Sequence, residues 1–257
     1  MFETIDMTKP PSYIIGVGYY GKSIIEVVKD NLSAFKEDEF WHILKYTFVN
    51  TSVNINESII TEDSSVTIMI VDLDDKKSKE EIIDVAKKVR DKTYLSVCFL
   101  ASNKKIDTND EFISNLLEIT NSIIPISKDE LLSTYVSRFI EFYSLPNLMA
   151  VDLADIKNVM GGHKISYLGN GEASGENRAI DAADIALRDK NFLLSFKKPN
   201  KVICNIKSNL NLSQDEMYIV INRIKTKLSY NELIYLIVTF DINYKDAINV
   251  LIIATKD

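Results

Sequence analysis

The apolar positions in the first 145 residues form short runs that alternate with stretches at helical spacing. Residues 13–15, 66–71 and 95–100 are continuous apolar runs, which is typical of strands covered on both faces. Between the last two runs, Ile82, Ala86 and Val89 recur at the spacing of one helix face. This order of strand, helix and strand predicts a mostly parallel sheet with helices on both faces.

The pattern changes after Leu145-Pro146, where we place a domain boundary between residues 1–145 and 146–257. The second part alternates strands and helices in a different order and ends on two consecutive strands. A small α+β domain is therefore expected there, with strands at 164–168, 202–206, 233–240 and 247–254, and helices at 176–188 and from 213.

Four helix starts can be predicted from local residue types. One helix is expected from about Lys22, after a glycine-rich turn. The other three are expected where a serine precedes a glutamate by three positions, because the two side chains can form a capping box: Ser78 with Glu81, Ser127 with Glu130, and Ser213 with Glu216.

Composition and charge narrow the class of protein. The net charge of −7 disfavours a nucleic-acid surface, which needs clustered Lys and Arg. We found no apolar run long enough for a membrane helix and no secretory signal, so a cytoplasmic protein without direct membrane insertion is expected. Cys98 and Cys204 lie in apolar runs and are expected to be buried free thiols.

Few side chains are suited to acid–base or metal chemistry. His42 is expected to serve in packing, and His163 is expected to lie at the surface. No spacing of Cys and His residues fits a zinc site. Asp72, Asp74 and Asp75 crowd the end of a predicted strand, where parallel sheets place ligands. A solvated acidic loop is favoured there over a cation site, and we assign no metal ligand.

The eight glycines fall into two groups, and the first group can be interpreted in two ways. Residues 16–23 satisfy both G-x-G-x-x-G and the P-loop pattern G-x-x-x-x-G-K-S. In a phosphate loop, Gly16, Gly18 and Gly21 would let backbone amides approach phosphates, Lys22 would reach the β and γ phosphates, and Ser23 would hold magnesium. Alternatively, the segment is a tight strand-to-helix turn without a ligand.

Two segments of the second part resemble FtsZ, the tubulin-like cell-division protein. Residues 148–160, L-M-A-V-D-L-A-D-I-K-N-V-M, are similar to the family's catalytic synergy loop, N-V-D-F-A-D-V-x-T-V-M. Residues 169–179 are similar to G-x-G-x-A-x-G-E-x-R-A, and residues 15–18 resemble the start of its first phosphate loop. The resemblance implies a Rossmann-type N-terminal domain and a small α+β C-terminal domain.

FtsZ-like proteins bind GTP between subunits that stack head to tail into filaments. By this resemblance, Asp152 and Asp155 are the catalytic carboxylates, which would act on the GTP held by the next subunit. Ala150 departs from the family's asparagine. The family's G-G-G-T-G-T-G loop is replaced by D-L-D-D-K-K-S at residues 72–78, and Tyr19 and Tyr20 replace glycines of the first loop.

These departures favour a short, divergent FtsZ-like protein that is a pseudo-GTPase. A residual phosphate loop would comprise Gly16, Gly18, Gly21, Lys22 and Ser23. No cofactor is expected, and the binding of GTP with magnesium is the open alternative. The expected partners are FtsZ or the chain itself in a head-to-tail contact, which would cap, regulate or assemble filaments. The first alternative is an active, polymerising GTPase that uses Lys22 and a metal at Asp72 or Asp74; the second is a P-loop ATPase.

Overall fold

A computed structural model describes residues 11–33, 46–50, 64–129, 131–145, 148–149, 151–193, 198–241 and 244–256. The chain divides into two compact units. Unit 1 comprises residues 1–123 and 128–137, and unit 2 comprises residues 124–127 and 138–257. This division falls inside a helix, a few residues before the boundary predicted after residue 145.

Strands and helices alternate along the described chain. The strands are β1 (Ser12–Val17), β2 (Tyr46–Asn50), β3 (Ser64–Asp72), β4 (Thr93–Ser102), β5 (Ser122–Ser127), β6 (Lys164–Ser174), β7 (Lys201–Ser208), β8 (Ile234–Phe240) and β9 (Ala247–Lys256). The helices are α1 (Gly18–Ser33), α2 (Lys76–Arg90), α3 (Glu111–Ile119), α4 (Leu132–Ser144), α5 (Leu153–Met160), α6 (Arg178–Leu187), α7 (Lys190–Leu193) and α8 (Gln214–Leu228).

Unit 1 contains a parallel sheet with the strand order β2-β1-β3-β4. β3 and β4 are almost entirely buried, as their continuous apolar sequences predict. One face packs against α2 and α3 through a core that includes Ile82, Val89 and Leu116. The predicted parallel sheet is confirmed, and its strands all end at the edge where β1 meets α1 and β3 meets α2.

Unit 2 has a mixed sheet in which β9 lies between β6 and β7 and is antiparallel to both. β8 lies parallel to β7 at the edge. α6 packs closely on β6 because β6 carries Gly169 and Gly171 under the helix. A Cβ atom on Gly171 would lie 2.3 Å from the carbonyl oxygen of Ala182. The alanine-rich face of α6 is buried against this strand.

Several predicted boundaries are corrected by the structure. α1 begins at Gly18 rather than near Lys22. α2 begins at Lys76 because Asp75, and not Ser78, is its N-cap. β6 extends to Ser174 rather than ending at residue 168, since the glycine motif at 169–175 continues the pairing with β9.

Other predictions are confirmed. The capping box of Ser213 with Glu216 opens α8, and both cysteines are buried free thiols. No helix among the described residues is long and apolar enough to cross a membrane. The predictions for His42, Glu130 and Ala150 concern positions outside the described residues.

Candidate functional site

The predicted phosphate loop is mostly the first turns of a helix. β1 ends at Val17 and α1 begins at Gly18, so Gly18, Gly21, Lys22 and Ser23 all belong to α1. Gly16 and Gly21 pack against each other, since a Cβ atom on Gly16 would lie 2.5 Å from the carbonyl carbon of Gly21. Lys22 is exposed, and the Ser23 hydroxyl donates to the Tyr20 carbonyl oxygen at 2.7 Å. No loop is therefore present between Gly18 and Lys22 to wrap a phosphate.

The start of α1 lies directly against the start of α2. Gly18 has a φ of +70°, and a Cβ atom there would lie 1.9 Å from the Ser78 hydroxyl oxygen and 3.7 Å from a carboxylate oxygen of Asp75. Residues of the first glycine group thus meet the aspartate-rich segment at residues 72–78. The sequence predicted these two segments as parts of one site, and the structure brings them together.

The N-terminus of α2 is capped by the chain's own carboxylate. Asp75 Oδ1 accepts the amide of Lys77 at 3.3 Å, and Asp75 Oδ2 accepts the amide of Ser78 at 3.2 Å. The Ser78 hydroxyl donates to the same oxygen at 2.5 Å. These bonds lower the pKa of Asp75, chiefly that from the Ser78 hydroxyl. The first free amides of a helix are its anion-binding groups, and here an aspartate bonds two of them.

The other two aspartates of this segment also have partners within unit 1. Asp72 is buried and forms an ion pair with Lys128 at 2.5 Å. Asp74 accepts the Ser102 hydroxyl at 2.7 Å and the Asn103 amide at 2.8 Å. The amide of Asn103 is the main cause of the lowered pKa of Asp74. Asp74 and Asp75 are exposed, as expected of a solvated acidic loop, whereas Asp72 is buried.

Lys128 also contacts an aromatic side chain at this edge. Its ammonium group lies 4.6 Å from the centroid of the Tyr20 ring, a cation–π contact. Burial, together with the nearby carboxylates of Asp72 and Asp129, raises the pKa of Tyr20 to about 12. Tyr19 is 88% exposed. Lys128 therefore links Asp72 to the ring of Tyr20.

Sequence reasoning missed Lys128 and the role of Asp75 as the cap of α2. Lys128 carries no local signal, because its partner lies 56 positions away. Asp75 is a residue type favoured at N-caps, but Ser78 is an equally good candidate for the same role. Among the described residues, no group of three or more His, Cys, Asp or Glu side chains could hold a metal ion.

The second predicted site, Asp152 and Asp155, lies in unit 2 and begins α5. Asp152 Oδ1 accepts the amides of Ala154 and Asp155 at 2.8 and 3.0 Å. Asp155 Oδ2 accepts the amide of Asp152 at 3.2 Å, which completes a reciprocal capping box. The capping bonds use one oxygen of each carboxylate. Asp152 is exposed and Asp155 is half-buried.

Two exposed apolar side chains precede this acidic pair. Leu148 is 61% exposed and Met149 is 39% exposed. The Leu148 amide donates to the Val238 carbonyl oxygen of β8 at 3.0 Å, which fixes the backbone to the sheet of unit 2. Leu148, Met149, Asp152 and Asp155 together form what we call the acidic face.

Arg178, from the second glycine motif, joins two helices of unit 2. It is buried and pairs with Glu216 at 2.6 Å and with Asp246 at 2.8 Å. Glu216 is also the capping-box residue of α8 and accepts the Ser213 amide at 2.9 Å. The hydrogen bond from Arg178 is the main reason that the pKa of Glu216 falls to about 2. This motif therefore has a structural role in unit 2.

Comparisons with known proteins agree with this architecture. The family model described as "FtsZ family, C-terminal domain" matches residues 165–256. The cell division protein FtsZ of Buchnera aphidicola subsp. Baizongia pistaciae is 29% identical over 175 residues, covering 59% of this chain and 45% of that protein. FtsZ of a Wolbachia species is 30% identical over 149 residues, covering 55% of this chain and 37% of that protein. The chain thus matches less than half the length of these relatives.

Solved structures extend the similarity to nearly the whole chain. An empty FtsZ dimer of M. jannaschii has a TM-score of 0.75 at 18% identity, covering 98% of this chain and 90% of that one. A GTPγS-bound CetZ2 protofilament of Haloferax volcanii has a TM-score of 0.66 at 9% identity, covering 95% and 92%. The fold is that of FtsZ and tubulin-like proteins, as predicted.

Proposed function

We propose that this chain, which matches the FtsZ family in its C-terminal part and shares the FtsZ/tubulin-like fold, is a pseudo-GTPase of the cell-division cytoskeleton that acts through protein contacts. The observation that carries the proposal is the cap on α2. Asp75 bonds the amides of Lys77 and Ser78, where the family's glycine-rich loop would leave amides to bind phosphate. A bound polyphosphate would have to displace this carboxylate.

Charge also disfavours a nucleotide at this edge. Asp72, Asp74 and Asp75 follow one another within four residues. Carboxylates and phosphates about 4 Å apart repel by several kcal/mol at the dielectric of a protein surface. A divalent cation could offset the repulsion, but Lys128 pairs with Asp72, and Ser102 and Asn103 donate to Asp74. The residues present do not fit GTP with magnesium.

The protein-binding role is supported by the acidic face. The capping box holds Asp152 and Asp155 at the start of α5, and the exposed Leu148 and Met149 lie next to them in sequence. In the family, this segment meets the nucleotide of the neighbouring subunit. A chain that keeps this face and lacks its own nucleotide site can dock on the nucleotide-bearing end of an FtsZ filament.

Titration of the purified chain with GTP and with ATP, with and without magnesium, tests the proposal. A ligand present at a hundred times its Kd stabilises the folded chain by about 2.7 kcal/mol, which thermal unfolding detects. We expect no nucleotide-dependent shift, whereas a nucleotide-binding FtsZ in parallel should respond. Micromolar GTP affinity would contradict the proposal and favour an active GTPase. Tight ATP binding that Lys22→Ala abolishes would indicate a P-loop instead.

A further inference from the structure

Five polar side chains are buried between α4 and the sheet of unit 2. They are Arg138 and Glu141 on α4, Asn205 and Lys207 on β7, and Asn249 on β9. All five belong to unit 2. Because Arg, Lys and Glu are almost never fully buried unless they are paired, each charged member needs partners inside the protein. We call this group the buried polar cluster.

The guanidinium group of Arg138 joins α4 to two neighbouring strands. Its Nε donates to Asn249 Oδ1 at 3.0 Å, and one terminal nitrogen donates to Asn205 Oδ1 at 2.9 Å. The other terminal nitrogen donates to Glu141 Oε2 at 2.5 Å. Since the guanidinium fork is planar and rigid, these three bonds fix both the position and the orientation of the group.

The sheet holds its side of the buried polar cluster in place with bonds of its own. Lys207 pairs with Glu141 at 3.2 Å and also with Asp241 at 3.1 Å. Asn205 Nδ2 donates to Thr239 Oγ1 on β8 at 2.9 Å. The amide and ammonium groups that face α4 are therefore held at fixed positions, which Arg138 and Glu141 match.

The apolar residues on the same face of α4 would not fix its position in this way. Phe142 follows Arg138 by four residues and Leu145 follows Glu141 by four, and both are buried. The four positions share one helix face. A slip of α4 by four residues, about 6 Å along its axis, would place Phe142 and Leu145 where the charged pair lies.

Such a slip would have very different costs for apolar and polar contacts. Hydrophobic burial is not directional, so one buried apolar side chain can replace another along the sheet. In contrast, Asn205, Asn249 and Lys207 would then face carbon atoms, and buried polar groups without hydrogen-bond partners are costly. The polar contacts therefore distinguish the observed position of α4 from a position one turn away.

We propose that Arg138 and Glu141 fix the register of α4 on the sheet of unit 2 and exclude positions one helical turn away. Buried ion pairs contribute little net stability, and setting the register of a helix is their best attested use. This role differs from that of a stabilising contact, because removal of the pair adds a second position for α4 without unfolding the chain. It does not depend on whether the chain binds nucleotide.

The variant Arg138→Met/Glu141→Met tests this role. Methionine retains side-chain length and helix propensity, Lys207 retains Asp241, and Asn205 retains Thr239. We expect a folded protein in which the backbone amide signals of residues 139–145 are doubled or show relaxation dispersion in the microsecond-to-millisecond range. Hydrogen exchange of these amides, relative to those of α8, should become faster by about tenfold or more.

Two further variants separate register from general destabilisation. Arg178 is as buried as Arg138 and pairs with a carboxylate of unit 2, but its partner Glu216 is on α8. Arg178→Met should accelerate exchange in α4 and α8 together and leave single α4 signals. Arg138→Lys keeps a charge beside Glu141 without the fork, so its effect on α4 exchange should lie between those of the wild type and the double variant.

Three results would overturn the proposed role. The first is a double variant with single α4 signals and an unchanged ratio of exchange rates between α4 and α8. The second is Arg178→Met doubling the α4 signals to the same extent. The third is a double variant that no longer folds, because Arg138 and Glu141 would then be required for folding itself and not for the choice of register.

Discussion

Arg178 is the residue whose removal should weaken unit 2 most clearly. Its side chain is 8% exposed and bonds Glu216, while its second acid, Asp246, is 76% exposed and adds little. Arg178→Met would leave Glu216 without its cation, and we expect a loss of about 2 to 3 kcal/mol in the free energy of unfolding. Urea unfolding followed by circular dichroism measures it.

A matched variant separates burial from ion pairing as the cause. Arg223 makes two bonds to Asp184, at 2.6 and 2.7 Å, but its side chain is 35% exposed. Arg223→Met should therefore lower the free energy of unfolding by about 1 kcal/mol or less. Equal losses in the two variants would show that the burial of Arg178 is not what makes its pair important.

Glu216 should make the free energy of unfolding depend on pH below the range in which a glutamate ordinarily titrates. Arg178 lowers the pKa of Glu216 to about 2 in the folded state, whereas an unfolded glutamate titrates near about 4.3. Because the pKa of Glu216 is lower in the folded state, its ionised form stabilises the fold fully above a pH of about 4.3, and this stabilisation is lost as the pH falls toward 2. The free energy of unfolding, measured across this window, should fall more steeply in the wild type than in Glu216→Gln. Identical slopes would contradict the assigned pairing.

At the scale of elements, the junction of α1 and α2 depends on Gly18. Its φ of +70° disfavours a side chain, and a Cβ atom would overlap the Ser78 hydroxyl oxygen at 1.9 Å. Gly18→Ala should therefore destabilise unit 1 by about 2 to 4 kcal/mol, combining backbone strain with overpacking. Hydrogen exchange of the first α2 amides and urea unfolding both report the effect.

Gly175 provides the control for that prediction. It has a φ of +90°, but a Cβ atom there would have nothing within 4 Å among the described residues. Gly175→Ala should lower the free energy of unfolding by about 1 to 2 kcal/mol, because it introduces backbone strain without a steric clash. If Gly175→Ala is as costly as Gly18→Ala, the contact with Ser78 does not contribute.

The order and type of most elements could be predicted from the sequence because buried strands and helix faces leave periodic patterns. The start of α2 could not, since Ser78 and Asp75 are both good caps and only the backbone decides between them. In the candidate site, Asp152 and Asp155 could be singled out through the resemblance to the family's synergy loop, and the capping box of α5 brings the two side chains together. The pair of Asp72 with Lys128 was not predictable, because it depends on tertiary structure across 56 positions.

At the scale of the whole molecule, the acidic face and the start of α2 differ in what they can bind. The acidic face resembles the family's segment that meets a neighbour's nucleotide, whereas the first amides of α2 are capped from within by Asp75. By the proposed function, the chain docks on a nucleotide-bearing FtsZ filament through the acidic face and offers no nucleotide to a further subunit. Added in small proportion to polymerising FtsZ from the same source, it should therefore reduce polymer mass and GTP turnover, which sedimentation and phosphate release measure.

Two double variants assign this effect to one face. Lys22→Glu/Lys76→Glu leaves the acidic face unchanged and should cap as well as the wild type. Asp152→Asn/Asp155→Asn keeps the fold through its asparagine cap but should leave polymer mass and turnover unchanged. Capping by both variants to the same extent would place the contact elsewhere on the chain. An unchanged FtsZ polymer with the wild type would exclude capping and leave self-assembly as the role of the acidic face.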